Sequence, residues 1–128
     1  MKKKILIVVA SYYETIANSL LKSAKNKINN KCNIDVIRVP GAFEIPVTIA
    51  KNLKKFNGFI ALGCVIKGQT PHFDFISSAA TNAIMDLSIN FKKPIGNGIL
   101  TCLSMKQAKA RKTKGAEAAN AVISVLSQ

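Results

Sequence analysis

Four short runs rich in Ile, Val and Leu, at residues 5–11, 34–39, 59–66 and 94–101, are separated by stretches whose apolar residues recur every three or four positions. That alternation predicts strands and helices taking turns along the chain. It leaves few folds open: successive parallel strands need a crossover, the crossover is right-handed, and its helices cover both faces of the sheet. Ile16, Leu20, Leu21, Ala24 and Ile28 share one helical face, and this first helix is expected to end near Asn29-Asn30. Pro40-Gly41 stops the second strand, and the next helix is expected over 43–55, with Pro46 tolerated only in its opening turn. The nearly unbroken apolar run at 58–66 is the pattern of a strand covered on both sides. Pro71 is expected as the first residue of a third helix, which carries Ile76, Ala79, Ala80, Ala83, Ile84 and Leu87 and ends before Pro94. In the fourth strand, Ile99-Leu100-Thr101 is the firmest part. Gly96-Asn97-Gly98 weakens it and points to close approach by another backbone or a ligand. Two helical pieces, 105–112 and 115–126, close the chain.

With 128 residues, the expectation is a single domain over residues 1–128. No apolar run is long enough to span a bilayer. Met1-Lys2-Lys3-Lys4 and the apolar residues after it look like the start of a signal peptide, but their β-branched character favours a first core strand, and hence a cytoplasmic protein. The cysteines, Cys32, Cys64 and Cys102, are odd in number and form no Cys-x-x-Cys pair, and His72 is the sole histidine. No metal set is expected, and free thiols in a reducing compartment are the default. The net charge of +13 raises the question of a nucleic-acid partner. However, the lysines are spread over every helix, there is no Trp, and no basic stretch is interleaved with aromatics, so neither a groove-reading helix nor a stacking platform is expected.

The residues with chemistry gather where the strands end. Between the third strand and its helix, the main-chain N–H groups of Gly68, Gln69 and Thr70 have no partner inside the helix, and with its dipole they suit an anion, most naturally a phosphate. His72, able to change charge near neutrality, follows one turn in. Read blandly, the same stretch is a loop with Thr70 as a cap and Asp74 favoured by the dipole. Yet Ser11-Tyr12-Tyr13 and Pro40-Gly41-Ala42-Phe43-Glu44 fall at the same edge, the carboxyl ends of the strands, where open parallel sheets bind ligands. Packing alone would not collect them there.

Four ordered segments, Pro40-Gly41-Ala42-Phe43-Glu44-Ile45-Pro46, Ala61 through Asp74, Gly98-Ile99-Leu100-Thr101 and Lys114-Gly115-Ala116-Glu117-Ala118-Ala119, closely resemble the 6,7-dimethyl-8-ribityllumazine synthase family. The resemblance is collinear from about Ile5 to the end of the chain. It implies a three-layer α/β/α sandwich on a four-stranded parallel sheet in the flavodoxin-like order 2-1-3-4. It also implies condensation of 5-amino-6-(D-ribitylamino)uracil with 3,4-dihydroxy-2-butanone 4-phosphate, releasing phosphate and water, with no cofactor and no metal.

By the same resemblance, Tyr13 matches the aromatic that stacks on the pyrimidine, with Tyr12 as a substitute. Ala42, Phe43 and Glu44 match the ribityl-binding segment, and Cys64, Val65 and Ile66 match positions whose backbone reads the uracil edge. Gly68, Gln69, Thr70 and Arg111 match the phosphate side, and His72 the proton donor and acceptor. Asn97 stands where many relatives carry a phenylalanine over the ring. Lys114 matches a pyrimidine contact, although the chain between Arg111 and Lys114 is several residues shorter than usual. The family implies a homo-oligomer, a five-fold ring or a sixty-subunit shell, in which Asn97 and Arg111 come from the neighbouring subunit, and riboflavin synthase is a candidate partner. A phosphate-holding module without chemistry, and a basic nucleic-acid-binding protein, are the competing classes. The first gives no reason for His72 and Glu44 to join the anion site, and the second rests on charge alone.

Overall fold

In the computed structural model, which describes residues 2–128, strands and helices alternate along the whole chain. The strands are β1 (Lys4–Ala10), β2 (Asn33–Val39), β3 (Gly58–Ile66) and β4 (Ile95–Cys102). They pair in parallel in the order β2-β1-β3-β4, as expected. The helices are α1 (Glu14–Ile28), α2 (Ile45–Asn52), α3 (His72–Phe91), α4 (Met105–Ala110) and α5 (Gly115–Leu126).

Because successive side chains on a strand point to opposite faces, the central strands feed two cores at once. Ile5, Ile7, Val9, Ile60, Leu62 and Leu100 pack against α1 and α5 through Leu20, Ala24, Ala119 and Val122. Leu6, Val8, Phe59, Ala61 and Ile99 face α2 and α3 through Ile45, Ile49, Ala80 and Ile84. Residues Ile5 through Val9 are wholly buried, which is why β1 reads as a continuous apolar run rather than an alternating one. Each such side chain contributes about 1.5–3 kcal/mol by leaving water.

Three local expectations are sharpened. The stretch expected as the start of the second helix is instead a 3-10 turn, Ala42–Glu44, and the α-helix proper opens at Ile45 with Pro46 in its first turn. Pro71 occupies the N-cap position, one residue before α3 begins at His72. Strand β4 runs unbroken through Gly96 and Gly98, and what needs the glycines is the protein itself, main chain at Gly96 and the Leu62 side chain at Gly98. A β-carbon on Gly96 would collide with the Ala118 carbonyl of α5. Gly115 plays the same part at the other side of α5, against the Leu20 carbonyl of α1.

Among the described residues, no helix is long and apolar enough to cross a membrane.

Candidate active site

A cleft of about 580 Å³ opens at the carboxyl edge of the sheet, lined by residues from four different chain segments. Tyr12 and Tyr13 follow β1, Gly41 through Glu44 follow β2, Cys64 through Ile66 end β3, and His72 and Ile76 come from the first two turns of α3. Most of the convergence expected of the strand ends is therefore present in one concave surface, with Gly68, Gln69 and Thr70 outside its lining. Of its lining, Gly41 was expected at this edge without a role of its own, and Ile76 was expected only as part of a helix face. Ile76 lies one helical turn beyond His72, so the i, i+4 spacing was the available signal.

The register of the sheet prepares the floor. Strand β1 pairs with β3 only as far as Val9 opposite Leu62, whereas β4 accompanies β3 to Ile66 opposite Cys102. Cys64, Val65 and Ile66 thus have a ladder partner on one side only, and their main-chain groups facing the β1 side are left for other partners. The Cys64 side chain turns into the core beside Cys102. Burial, and then the neighbouring Cys102 thiol, push the Cys64 thiol up to about 12, so it stays protonated at neutral pH.

Two tyrosines form one wall, with ring centroids 4.9 Å apart and planes at 81°, an edge-to-face pair. Tyr13 packs against the core, while Tyr12 is 75% exposed. Burial, followed by the neighbouring Tyr12 and Cys64 groups, raises the Tyr13 phenol above its ordinary value. On the opposite wall Phe43 is exposed and Glu44 is held from below: its Oε1 accepts the Gly41 N–H at 2.9 Å.

At the third side, Gly68, Gln69 and Thr70 stand exposed between two lining residues, Ile66 and His72. The Thr70 hydroxyl accepts the His72 N–H at 3.4 Å, a long cap on the start of α3. A β-carbon on Gly68 would meet nothing within 4 Å, so no atom of this chain demands a glycine there. The open space lies beside the exposed N-terminal edge of α3, where an anion is favoured. Among the described residues, no group of three or more His, Cys, Asp or Glu side chains comes together in a way that could hold a metal ion.

The chain matches the sequence profile of 6,7-dimethyl-8-ribityllumazine synthase over residues 2–128. It is 43% identical to the Agrobacterium fabrum protein of that name, with 98% of this chain and 93% of the relative covered. It is 42% identical to the Bartonella tribocorum protein of the same name, covering 98% and 91%, and 42% to that of Cutibacterium acnes, covering 96% and 80%. The chain belongs to the 6,7-dimethyl-8-ribityllumazine synthase family.

Besides Gly68, Gln69 and Thr70, which border the cleft without lining it, three more of the expected site residues stand apart from the cleft of their own chain. Asn97 sits on the outer edge strand, its Oδ1 accepting the Ile99 N–H at 3.0 Å. Arg111, just after α4, donates from Nη1 to the Gln107 carbonyl at 3.1 Å. Lys114 lies 3.5 Å from Glu117 in an exposed i, i+3 pair. None of the three lines the cleft. The cleft of one chain brings together the two tyrosines, Glu44, the β3 end and His72, with Gly68 to Thr70 exposed beside it and Arg111 elsewhere.

Proposed function

We propose that the cleft binds 5-amino-6-(D-ribitylamino)uracil against the β3 end and 3,4-dihydroxy-2-butanone 4-phosphate at the Gly68–Thr70 edge. There it condenses them to 6,7-dimethyl-8-ribityllumazine, the penultimate step of riboflavin synthesis. Membership of the family supports the reaction. The observation that carries the division of roles is the register: β3 outruns β1 by the residues Cys64 to Ile66, leaving a short strip of main-chain donors and acceptors at the bottom of an aromatic-walled cleft.

The uracil edge hydrogen-bonds to the β3 strip, its ring lies on the Tyr12 and Tyr13 wall, and the ribityl chain runs over Ala42 and Phe43 to Glu44. With Oε1 committed to Gly41, Glu44 presents Oε2 to sugar hydroxyls. The amine of the uracil adds to the ketone of the phosphate ester and water leaves as the imine forms. Phosphate is then eliminated, and ring closure follows with further loss of water. Every stage moves a proton, and His72 is the imidazole in the cleft that can donate and accept one. The departing phosphate is received by the N–H groups of Gly68, Gln69 and Thr70 and by Arg111, whose planar fork can grip two oxygens.

Arg111, Asn97 and Lys114 reach this chemistry from a neighbouring copy in a five-fold ring. Their separation from their own cleft supports that arrangement. So does α3, which buries only Ala80 and Ile84 fully while Phe75, Met85, Ile89 and Phe91 are between 54% and 68% exposed. Residues 1–128 act as one domain, in the cytoplasm.

The test mixes purified protein with both substrates and follows lumazine absorbance and released phosphate together. Wild type is expected to form product, Arg111→Ala to lose most activity, and His72→Ala to lose less, because holding two reactants in place supplies more of the acceleration than one proton transfer. Equal activity in all three would overturn these roles.

A further inference from the structure

We propose that Arg38, which lies outside the cleft, is a positioning residue for its aromatic wall, tying the Ser11–Tyr13 turn to α1 through Ser11 and Asn18. The inference rests on the function proposed above. Arg38 stands on β2 opposite Val9, at the level where β1 is about to end. Its guanidinium spans two elements: Nη2 donates to Asn18 Oδ1 on α1 at 3.1 Å, and Nη1 reaches Ser11 Oγ at 3.5 Å.

A bridge at this point has a specific use. A helix ordinarily has its first N–H groups satisfied by a Ser, Thr, Asp or Asn side chain at the N-cap, which also fixes the angle at which the chain enters. Here the N-cap position is Tyr13, and no side chain caps α1. The position that would orient the turn is occupied by a residue of the cleft. What remains is main-chain bonding, Ser11 N–H to the Val39 carbonyl at 2.9 Å and Ala17 N–H to the Tyr13 carbonyl at 2.9 Å, together with the Arg38 bridge. The two main-chain bonds fix the ends of the turn. Arg38 is the side-chain link from one end to the helix body beyond the other, and Tyr12 and Tyr13 lie between.

The surroundings make the bridge depend on neutral oxygens. Arg38 lies in a shallow groove with Asn18, Leu21, Lys22, Lys25 and Asn26, which contains no carboxylate. The flanking lysines repel the guanidinium, so its two hydrogen bonds, rather than an ion pair, hold it in place. A methionine at this position keeps most of the aliphatic stem but makes neither bond.

Steady-state kinetics with each substrate varied separately tests the proposal on wild type, Arg38→Met, Asn18→Leu, Asn18→Asp and the double variant Arg38→Met/Asn18→Leu. In Arg38→Met and Asn18→Leu the KM for the ribitylaminouracil should rise about three- to tenfold, the loss of a modest orienting contact. Both kcat and the KM for the butanone phosphate should stay near wild type, since the anion loop is on another element. Asn18→Asp keeps an acceptor for Nη2 and should behave as wild type. The double variant should be no worse than Arg38→Met, because both changes break one link. An unchanged uracil KM in Arg38→Met, or a parallel loss on both substrates, would overturn the inference while leaving the function standing. A wild type that forms no lumazine would overturn the function first.

Discussion

The Glu44 carboxylate is anchored by the backbone three residues before it, with Oε1 2.9 Å from the Gly41 N–H, so one side chain both closes the 3-10 turn and lines the cleft. Removing it has two separable consequences. Glu44→Ala should cost about 1 kcal/mol of stability, as loss of a capping side chain does, and raise the KM for the ribitylaminouracil by about tenfold. Glu44→Gln keeps an acceptor oxygen and should do less of both. Denaturant unfolding and substrate titration measure the two effects on the same preparations.

The glycines divide into those the fold needs and one, Gly68, that belongs to the proposed phosphate edge. Gly96→Ala forces a β-carbon onto the Ala118 carbonyl and Gly115→Ala onto that of Leu20, both main-chain atoms that cannot step aside. Each should destabilise by about 1–3 kcal/mol or more, read as a lowered melting temperature. Gly68→Glu has open space around it and should melt with wild type. Its carboxylate would repel the phosphate ester, so the expected defect is a raised KM for the butanone phosphate alone.

Thiol chemistry should distinguish the three cysteines. Cys32 is half-buried, while Cys64 and Cys102 are buried, so a thiol reagent at pH 8 should modify Cys32 and spare the pair until the protein is unfolded. The raised Cys64 value has a sign that can be checked. Well below pH 9 the thiol is protonated in both states and contributes nothing. As pH rises from 9 towards 12 the unfolded chain loses a proton that the folded one keeps, so stability falls by roughly 1 kcal/mol per pH unit. Cys64→Ala should remove this part of the alkaline loss in denaturant titrations at pH 8 and pH 10.

Helix α3 should govern assembly. Ile89 is 64% exposed on a single chain, so Ile89→Lys leaves the core untouched and should fold. A charge in the proposed ring interface should instead shift the population towards monomers by sedimentation velocity and lower activity in proportion.

The fold was legible because each strand and helix carries its own periodicity, and Ile5 through Val9 or Leu20, Leu21 and Ala24 report their burial locally. The cleft was legible in outline because its residues sit at strand ends. Other features depend on contacts between residues distant in sequence. Whether Gly96 faced a ligand or a backbone could not be read until α5 was in place, since Ala118 is 22 positions away. Arg38 pairs with Asn18 and Ser11 across 20 and 27 residues, with no spacing rule to mark them. Resemblance could name Cys64 to Ile66, but that they lack a ladder partner on the β1 side shows only in the registers on the two sides of β3, which end at different points. Resemblance to the family could name Arg111 and Asn97, whereas their distance from the cleft is a property of the folded chain.

The most direct test of a site divided between subunits is complementation. Arg111→Ala and Gly68→Glu are unfolded, mixed in equal amounts and refolded together, and lumazine formation is assayed at a butanone phosphate concentration low enough that each variant alone is nearly inactive. If the cleft of one copy is served by the arginine of the next, random rings contain intact junctions and recover about a quarter of wild-type activity. Activity no higher than the average of the two parents, in mixtures shown to have co-assembled, would contradict the account.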